Sequence, residues 1–269
     1  MSQGQWVSFG PTHQYRGYLM APPGSAPLPG VVVYQEAWGV DGYIEEMCQR
    51  IAQAGYVAMA PDLFLDDGVR PEALSRERLQ QLQAFFNQLP PNAMRDPEIM
   101  NTALNAKPAA ERQALSESRN TMMANLNPEL HLTKALASAA FLRDEYLRSQ
   151  HQKVAAIGFC FGGGLAALSA CHDPALSLAV MYYGSPPPQA LIAKLTCPIV
   201  AFHGERDQRL AEGVPQLRAQ MSAAGKRYEA HVYPGAGHAF LNDRRPSYDP
   251  LASRHAWART LAVLDEVLS

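Results

Sequence analysis

The chain has 269 residues, 47% of them hydrophobic and 18% charged, with a formal net charge of -2. That is the profile of a globular protein able to bury a large core. It excludes the basic field that draws nucleic acid or an anionic membrane surface, and no apolar run approaches the length that spans a bilayer.

The opening ten residues carry neither a basic stretch nor an apolar core, so no signal peptide is expected and the expected location is cytoplasmic. Ala21 to Gly30, A-P-P-G-S-A-P-L-P-G, is a turn-rich connector. V-V-V-Y after it has the β-branched character of a buried strand. Asp41 to Ala54 predicts an amphipathic helix with Ile44, Met47, Cys48 and Ile51 on one face, ended by Gly55. Y-V-A-M-A-P-D-L-F predicts the next strand and loop. Residues 72 to 89 predict a helix, whereas 90 to 107 hold three prolines and no clear period. The stretch from about 66 to 127 is therefore expected to be a lid or insertion in a single domain spanning 1–269. A helix is expected from Pro128 to about Arg148, with Asn127 as its N-cap and Glu129 at its positive end.

Strand candidates then alternate with helix candidates: Val154 to Phe159, Leu178 to Tyr183, Pro198 to His203 and Tyr228 to Tyr233. A last helix is expected over about Ser253 to Leu268. This alternation predicts an α/β fold with a mostly parallel sheet and helices on both faces. Ligands in such sheets bind at the carboxyl ends of the strands.

At one such end stands G-F-C-F-G, Gly158 to Gly162. It is a nucleophile-elbow pattern, G-x-C-x-G, with sulfur in place of the usual serine oxygen. The glycines relieve collisions where strand and helix meet, and the thiol is presented at a helix N-terminus, which favours the thiolate. The N–H of Phe161 would point into an oxyanion hole. Alone, the pattern fits a glycine-rich turn holding a small buried cysteine equally well.

A thiolate nucleophile needs a base, and the base needs an orienting acid. H-G-E-R-D ends in Asp207 just past a predicted strand, and Y-P-G-A-G-H-A-F places His238 in a glycine-containing loop past another. Glu205 competes for the acid position, and Asp207 could instead cap the segment that follows. Asp66, Asp67 and Asp173 lack this context. His203 and His231 fall within predicted strands and are expected to be structural or surface residues. Cys48, Cys160, Cys171 and Cys197 form no C-x-x-C pair, and His172 beside Cys171 makes no metal-ligand cluster. Reduced thiols are expected; if the chain were exported, two disulfides would be possible. No metal and no cofactor are expected.

Q-E-A-W-G-V (Gln35 to Val40), A-G-Y-V-A-M-A-P-D-L-F, G-F-C-F-G-G, H-G-E-R-D and Y-P-G-A-G-H-A-F together resemble the dienelactone hydrolases, or carboxymethylenebutenolidases, of the α/β-hydrolase superfamily. The resemblance runs from about residue 15 to the C-terminus, apart from the middle. It implies an α/β-hydrolase fold with Cys160 as nucleophile, His238 as base and Asp207 as its acid. It implies backbone N–H groups of Ala37 and Phe161 as the oxyanion hole. Glu36 matches a family glutamate that contacts the resting thiol, and Trp38 would line the pocket or only pack. The chain also departs from the family. Where a family arginine meets the substrate carboxylate, four residues past the histidine, it has Asn242, with Arg244 and Arg245 slightly further on. For the second family arginine, Arg76, Arg78 and Arg95 are candidates.

The resemblance implies opening of an enol lactone or activated ester through an acyl-thioenzyme, on a small-molecule substrate. The alternatives are a broad carboxylesterase or thioesterase without dienelactone activity and a non-catalytic redox sensor using Cys160; a metalloenzyme is a poor third. Oligomeric state is not legible.

Overall fold

In the computed structural model, which describes residues 4–65, 68–90, 93 and 96–269, the chain begins with a feature the sequence reading lacks. β1 (Gln5–Phe9) and β2 (Tyr15–Met20) form an antiparallel pair at one edge of the sheet. Both are short, and their polar residues interrupt the apolar pattern that marks a strand. The strands that follow differ in kind. A strand covered on both faces must be apolar at every position, not every second one. β3 (Gly30–Tyr34) and β4 (Val57–Pro61) are buried throughout, and between them lies α1 (Gly42–Gln53). Asp41 caps α1, its carboxylate accepting from the N–H groups of Tyr43 and Ile44.

Beyond β4 come a short 3-10 turn (Glu72–Leu74), then α2 (Arg76–Asn87), α3 (Pro97–Asn105), α4 (Ala109–Ala124) and α5 (Pro128–Ala140). The alternation then resumes with β5 (Val154–Phe159), α6 (Phe161–His172), β6 (Leu178–Tyr182), β7 (Ile199–Gly204), α7 (Gln208–Ala223), β8 (Tyr228–Tyr233) and α8 (Pro250–Leu268). The eight-stranded sheet has the order β1-β2-β4-β3-β5-β6-β7-β8. β1, β2 and β4 pair antiparallel, and the remaining pairs are parallel. The expected mostly parallel sheet with helices on both faces is present.

Strand periodicity divides the core in two. Val31, Val33, Ala155, Ile157 and Phe159 face a cluster shared with α1 and α8. Val32, Tyr34, Val154 and Ala156 face the other way, onto α5 and α6. All four residues expected on the buried face of the first helix, Ile44, Met47, Cys48 and Ile51, are in the core. Register aligns the carboxyl ends: Tyr34 pairs with Gly158, Phe159 with Tyr182, Tyr182 with Phe202, and Gly204 with Tyr233. The residues just past each strand therefore gather along one edge.

Several helices differ from expectation. Ser75 divides the first of them, because its hydroxyl caps α2 by accepting from the Arg78 N–H at 3.3 Å. The region 90–107 is not irregular throughout. Asp96 caps α3 and Pro97 opens it, a start signal that the density of prolines obscured. α4 carries a weakly patterned sequence that gives no helix signal. The helix from Pro128 ends at Ala140, not near Arg148. A wider turn (Phe141–Glu145) follows it, and the Leu28 N–H donates to the Arg148 carbonyl at 2.7 Å, drawing this segment back to the start of the sheet. α8 starts at Pro250 behind an Asp249 cap, three residues earlier than expected.

Helices α2 to α4 enclose a third cluster that includes Leu79, Leu82, Phe86, Leu104, Leu115 and Met122, closed by Ala37 and Trp38 from the loop after β3. Arg78 joins α2 to α4, donating to the Ser118 hydroxyl at 3.0 Å, the Ala114 carbonyl at 2.7 Å and Glu117 at 3.0 Å. Arg78→Ala should cost about 2 kcal/mol and lower the calorimetric midpoint by about 4–8 °C. A midpoint within 1 °C of wild type, roughly the scatter of such melts, would show that these bonds add nothing to stability.

Candidate active site

The elbow can be built from the backbone outward. Cys160 joins β5 to α6 with φ +55° and ψ -114°. An L residue rarely adopts this left-handed conformation, and it persists only where the surroundings enforce it. Here the Cys160 N–H donates to the Tyr182 carbonyl at 2.9 Å, and the Cys160 carbonyl accepts from the Gly163 N–H at 3.0 Å. The flanking glycines are dictated by contact. A Cβ on Gly158 would lie 1.8 Å from the Gly162 carbonyl oxygen, and one on Gly162 would lie 2.4 Å from that of Tyr34.

The same closeness positions the loop after β3. The Gly162 N–H donates to the Gln35 carbonyl at 3.1 Å, and the Gln35 side chain accepts from the Leu63 N–H at 3.2 Å. Glu36, Ala37 and Trp38 follow directly. Phe161 opens α6, so its N–H is among those without an acceptor inside the helix.

Cys160 Sγ lies 3.1 Å from Nε2 of His238. On the far side of the ring, Nδ1 makes a short hydrogen bond with the Asp207 carboxylate. Asp207 precedes α7 but makes no side-chain capping bond, and its competitor Glu205 accepts instead from the Gly235 N–H at 2.9 Å. The Asp207 side chain is buried while that of His238 keeps 40% of its surface open. Burial works against a charged imidazole, yet the Cys160 sulfur and the Asp207 carboxylate outweigh it and raise the His238 pKa to about 10.

The sign of the resulting stability effect follows. The folded pKa exceeds the ordinary value, so this contribution is complete below about pH 6.5 and vanishes as pH rises through about 10. Wild type should therefore out-melt His238→Gln most at about pH 6, with the gap narrowing steadily towards pH 10. A gap that stays constant across that range would contradict the charged pairing.

Glu36 is 3% exposed, and burial raises its pKa. The Tyr183 hydroxyl donates to Oε1 at 3.3 Å and the Asn242 amide to Oε2 at 2.9 Å. Trp38 packs on Phe86, and the Arg245 guanidinium lies 5.3 Å from the centre of a Trp38 ring, with Nη1 buried and without a hydrogen-bond acceptor among the described residues. The structure thus gathers Cys160, His238 and Asp207, with Glu36, Asn242 and Trp38 at the same sheet edge. Arg76 pairs with Glu45 and donates to the Val40 carbonyl, Arg78 holds α4, and Arg244 pairs with Glu46. Arg95, Asp66 and Asp67 lie outside the described residues.

Sequence alone assigns no site role to Tyr183, and Arg245 stands out only as a neighbour of Asn242. Tyr183 reads there as the end of a strand, and nothing in its neighbourhood of sequence signals Glu36. His203 is buried, and burial lowers its pKa to about 4, so it is neutral behind Asp207. His231 stacks on Phe202 and bonds Glu229. All four cysteines are free thiols. Among the described residues no His, Cys, Asp or Glu cluster could hold a metal ion, and no helix is long and apolar enough to cross a membrane. A surface groove of about 510 Å³ runs along α1, but its charges are already paired: Glu46 with Arg50 and Arg244, and Glu45 with Arg76.

Comparison with known proteins places the chain in a family. The sequence model of the dienelactone hydrolase family matches residues 15–268. A carboxymethylenebutenolidase-type protein of Saccharolobus solfataricus is 30% identical over 258 residues, covering 94% of each chain. One from Escherichia coli is 30% identical over 246 residues, covering 87% of this chain and 76% of its own. A dienelactone hydrolase-type structure from Klebsiella pneumoniae superposes with a TM-score of 0.70 at 26% identity, covering 97% of both chains.

Proposed function

Since the chain belongs to the dienelactone hydrolase family and is a carboxylic ester hydrolase, we propose that it opens enol lactones or activated carboxylic esters through an acyl-thioenzyme on Cys160. The observation that carries this reading is the line from sulfur to imidazole to carboxylate, set on a strained elbow. Membership in a hydrolase family sets aside the non-catalytic redox sensor.

In the proposed reaction Cys160 attacks the carbonyl carbon as thiolate, with His238 as imidazolium. The N–H groups of Ala37 and Phe161 hold the oxyanion. The carbonyl reforms, the ring C–O bond breaks, and the enolate leaves with the proton of His238. A thiol suits this step when the leaving group is good; a poor one would return the thiolate instead. Acylation also removes the sulfur's charge, which is the largest influence raising the His238 pKa. The neutral imidazole can then take a proton from water, with Asp207 fixing its tautomer. Hydroxide adds to the thioester, the thiolate departs, and the acid product is released.

Glu36 is the proposed modulator of the thiol, and Trp38 with Arg245 above it one wall of the pocket. The reduced thiol this chemistry needs suits a cytoplasmic setting. A second reading, a carboxylesterase without dienelactone activity, is favoured by one observation: Asn242, bonded to Glu36, stands where the family pattern has an arginine.

The test is loss of dienelactone absorbance beside p-nitrophenyl ester hydrolysis, with Cys160→Ala as control. Dienelactone turnover lost in the variant supports the first reading. Ester turnover alone, lost in the same way, selects the second. Turnover that survives the substitution rejects both.

A further inference from the structure

The peptide unit between Tyr182 and Tyr183 ties together parts of the site that come from different elements. Its carbonyl accepts the N–H of Cys160 at 2.9 Å, and its N–H donates to the Phe202 carbonyl on β7 at 2.7 Å. Tyr183 then takes a φ of +41°. For a bulky side chain this is an outlier, and such outliers persist only where the fold over-determines them. The chain has no room to relax towards α6, because even a Cβ on Gly184 would lie 2.5 Å from the Gly163 carbonyl carbon.

The consequence of this backbone is direction. The Tyr183 ring lies against the His238 imidazole with centroids 5.1 Å apart, and against Phe240 at 5.6 Å. Its hydroxyl reaches Glu36 at 3.3 Å, and the whole residue is 1% exposed. An aromatic that only filled the core would require neither a left-handed backbone nor a hydroxyl aimed at a buried carboxyl.

We propose that Tyr183 is a positioning residue: its ring fixes the plane of the His238 imidazole opposite Cys160, and its hydroxyl fixes the Glu36 carboxyl. Both are held from the backbone unit that also anchors the nucleophile. The inference rests on the reading of Cys160 and His238 as nucleophile and base. During turnover the imidazole must serve first the leaving group and then water while Nδ1 stays on Asp207. The ring contact limits it to that motion.

The experiment compares Tyr183→Phe and Tyr183→Leu in the full chain, with Cys160→Ala in parallel and the folded fraction measured by near-UV circular dichroism. Tyr183→Leu should lower kcat per folded molecule about 100-fold with KM within about threefold, because the base is misplaced while binding persists. Tyr183→Phe, which restores the ring, should recover kcat to about three- to tenfold below wild type. The proposal is overturned if Tyr183→Leu loses kcat only in step with its folded fraction, or if Tyr183→Phe is as impaired as Tyr183→Leu. Should the leucine variant not fold, the phenylalanine variant decides: the smaller drop at constant KM supports the proposal, and unchanged kcat overturns it. Undiminished turnover by Cys160→Ala rejects the underlying reading and this inference with it. A dead Cys160→Ala beside a fully active leucine variant rejects the inference alone.

Discussion

Cys160→Ala is expected to lower kcat on an activated ester by about 10⁵-fold, equivalent to about 7 kcal/mol of transition-state stabilisation. The loss should be this large because nothing else in the proposed site can form the covalent intermediate. His238 could still activate water, but with no acyl-thioenzyme formed that water would have to attack the ester directly. The oxyanion donors and the pocket survive the substitution, so KM should change by no more than about threefold. Cys160→Ser adds a sharper test. It keeps the bond to His238 and the elbow, yet an alcohol is far harder to ionise than a thiol. It should therefore recover only a small part of the lost rate. Steady-state kinetics on both variants decide the matter, and a serine variant matching wild type would mean that sulfur has no special part in the chemistry.

The second large effect is on the fold. Gly158→Ala is expected to destabilise the protein by about 4 kcal/mol or more, lowering the thermal midpoint by about 10 °C or more. The added methyl would sit 1.8 Å from the Gly162 carbonyl oxygen and 2.2 Å from its carbon. Both are backbone atoms, so no side-chain rotation can clear them. Relief would require α6 to swing away from β5, breaking the Gly162 N–H bond to Gln35. Gly213 provides the opposite case. It lies inside α7, and beyond its chain neighbours and the backbone of its own helix no atom of the described residues comes within 4 Å of the added methyl, so Gly213→Ala should stabilise by about 0.5–1 kcal/mol. If calorimetry gave the two substitutions the same sign, the steric account of the elbow would fail.

How much of this was legible in sequence depended on whether the signal was local. The central strands read correctly because burial on both faces leaves unbroken apolar runs, as in V-A-A-I-G-F. Cys160, Asp207 and His238 could be picked out because each carries its own punctuation of glycine or strand end, and the structure brings the three side chains together. β1 and β2 were missed because an edge pair needs only half its residues apolar. α3 lies in a proline-rich stretch that masks its Asp96-Pro97 start signal, and α4 has little apolar periodicity to read. The partners of Glu36 were invisible for a different reason. Tyr183 lies 147 positions away and Asn242 lies 206, and no spacing rule joins residues that meet only through sheet register.

The loop after β3 belongs to two bodies at once. Through Gln35 it is stitched to the elbow, and through Ala37 and Trp38 it closes the apolar cluster under α2, α3 and α4. Exchanges at Leu82 or Phe86, which need never meet a substrate, would thus be transmitted to the backbone amide proposed to receive the oxyanion.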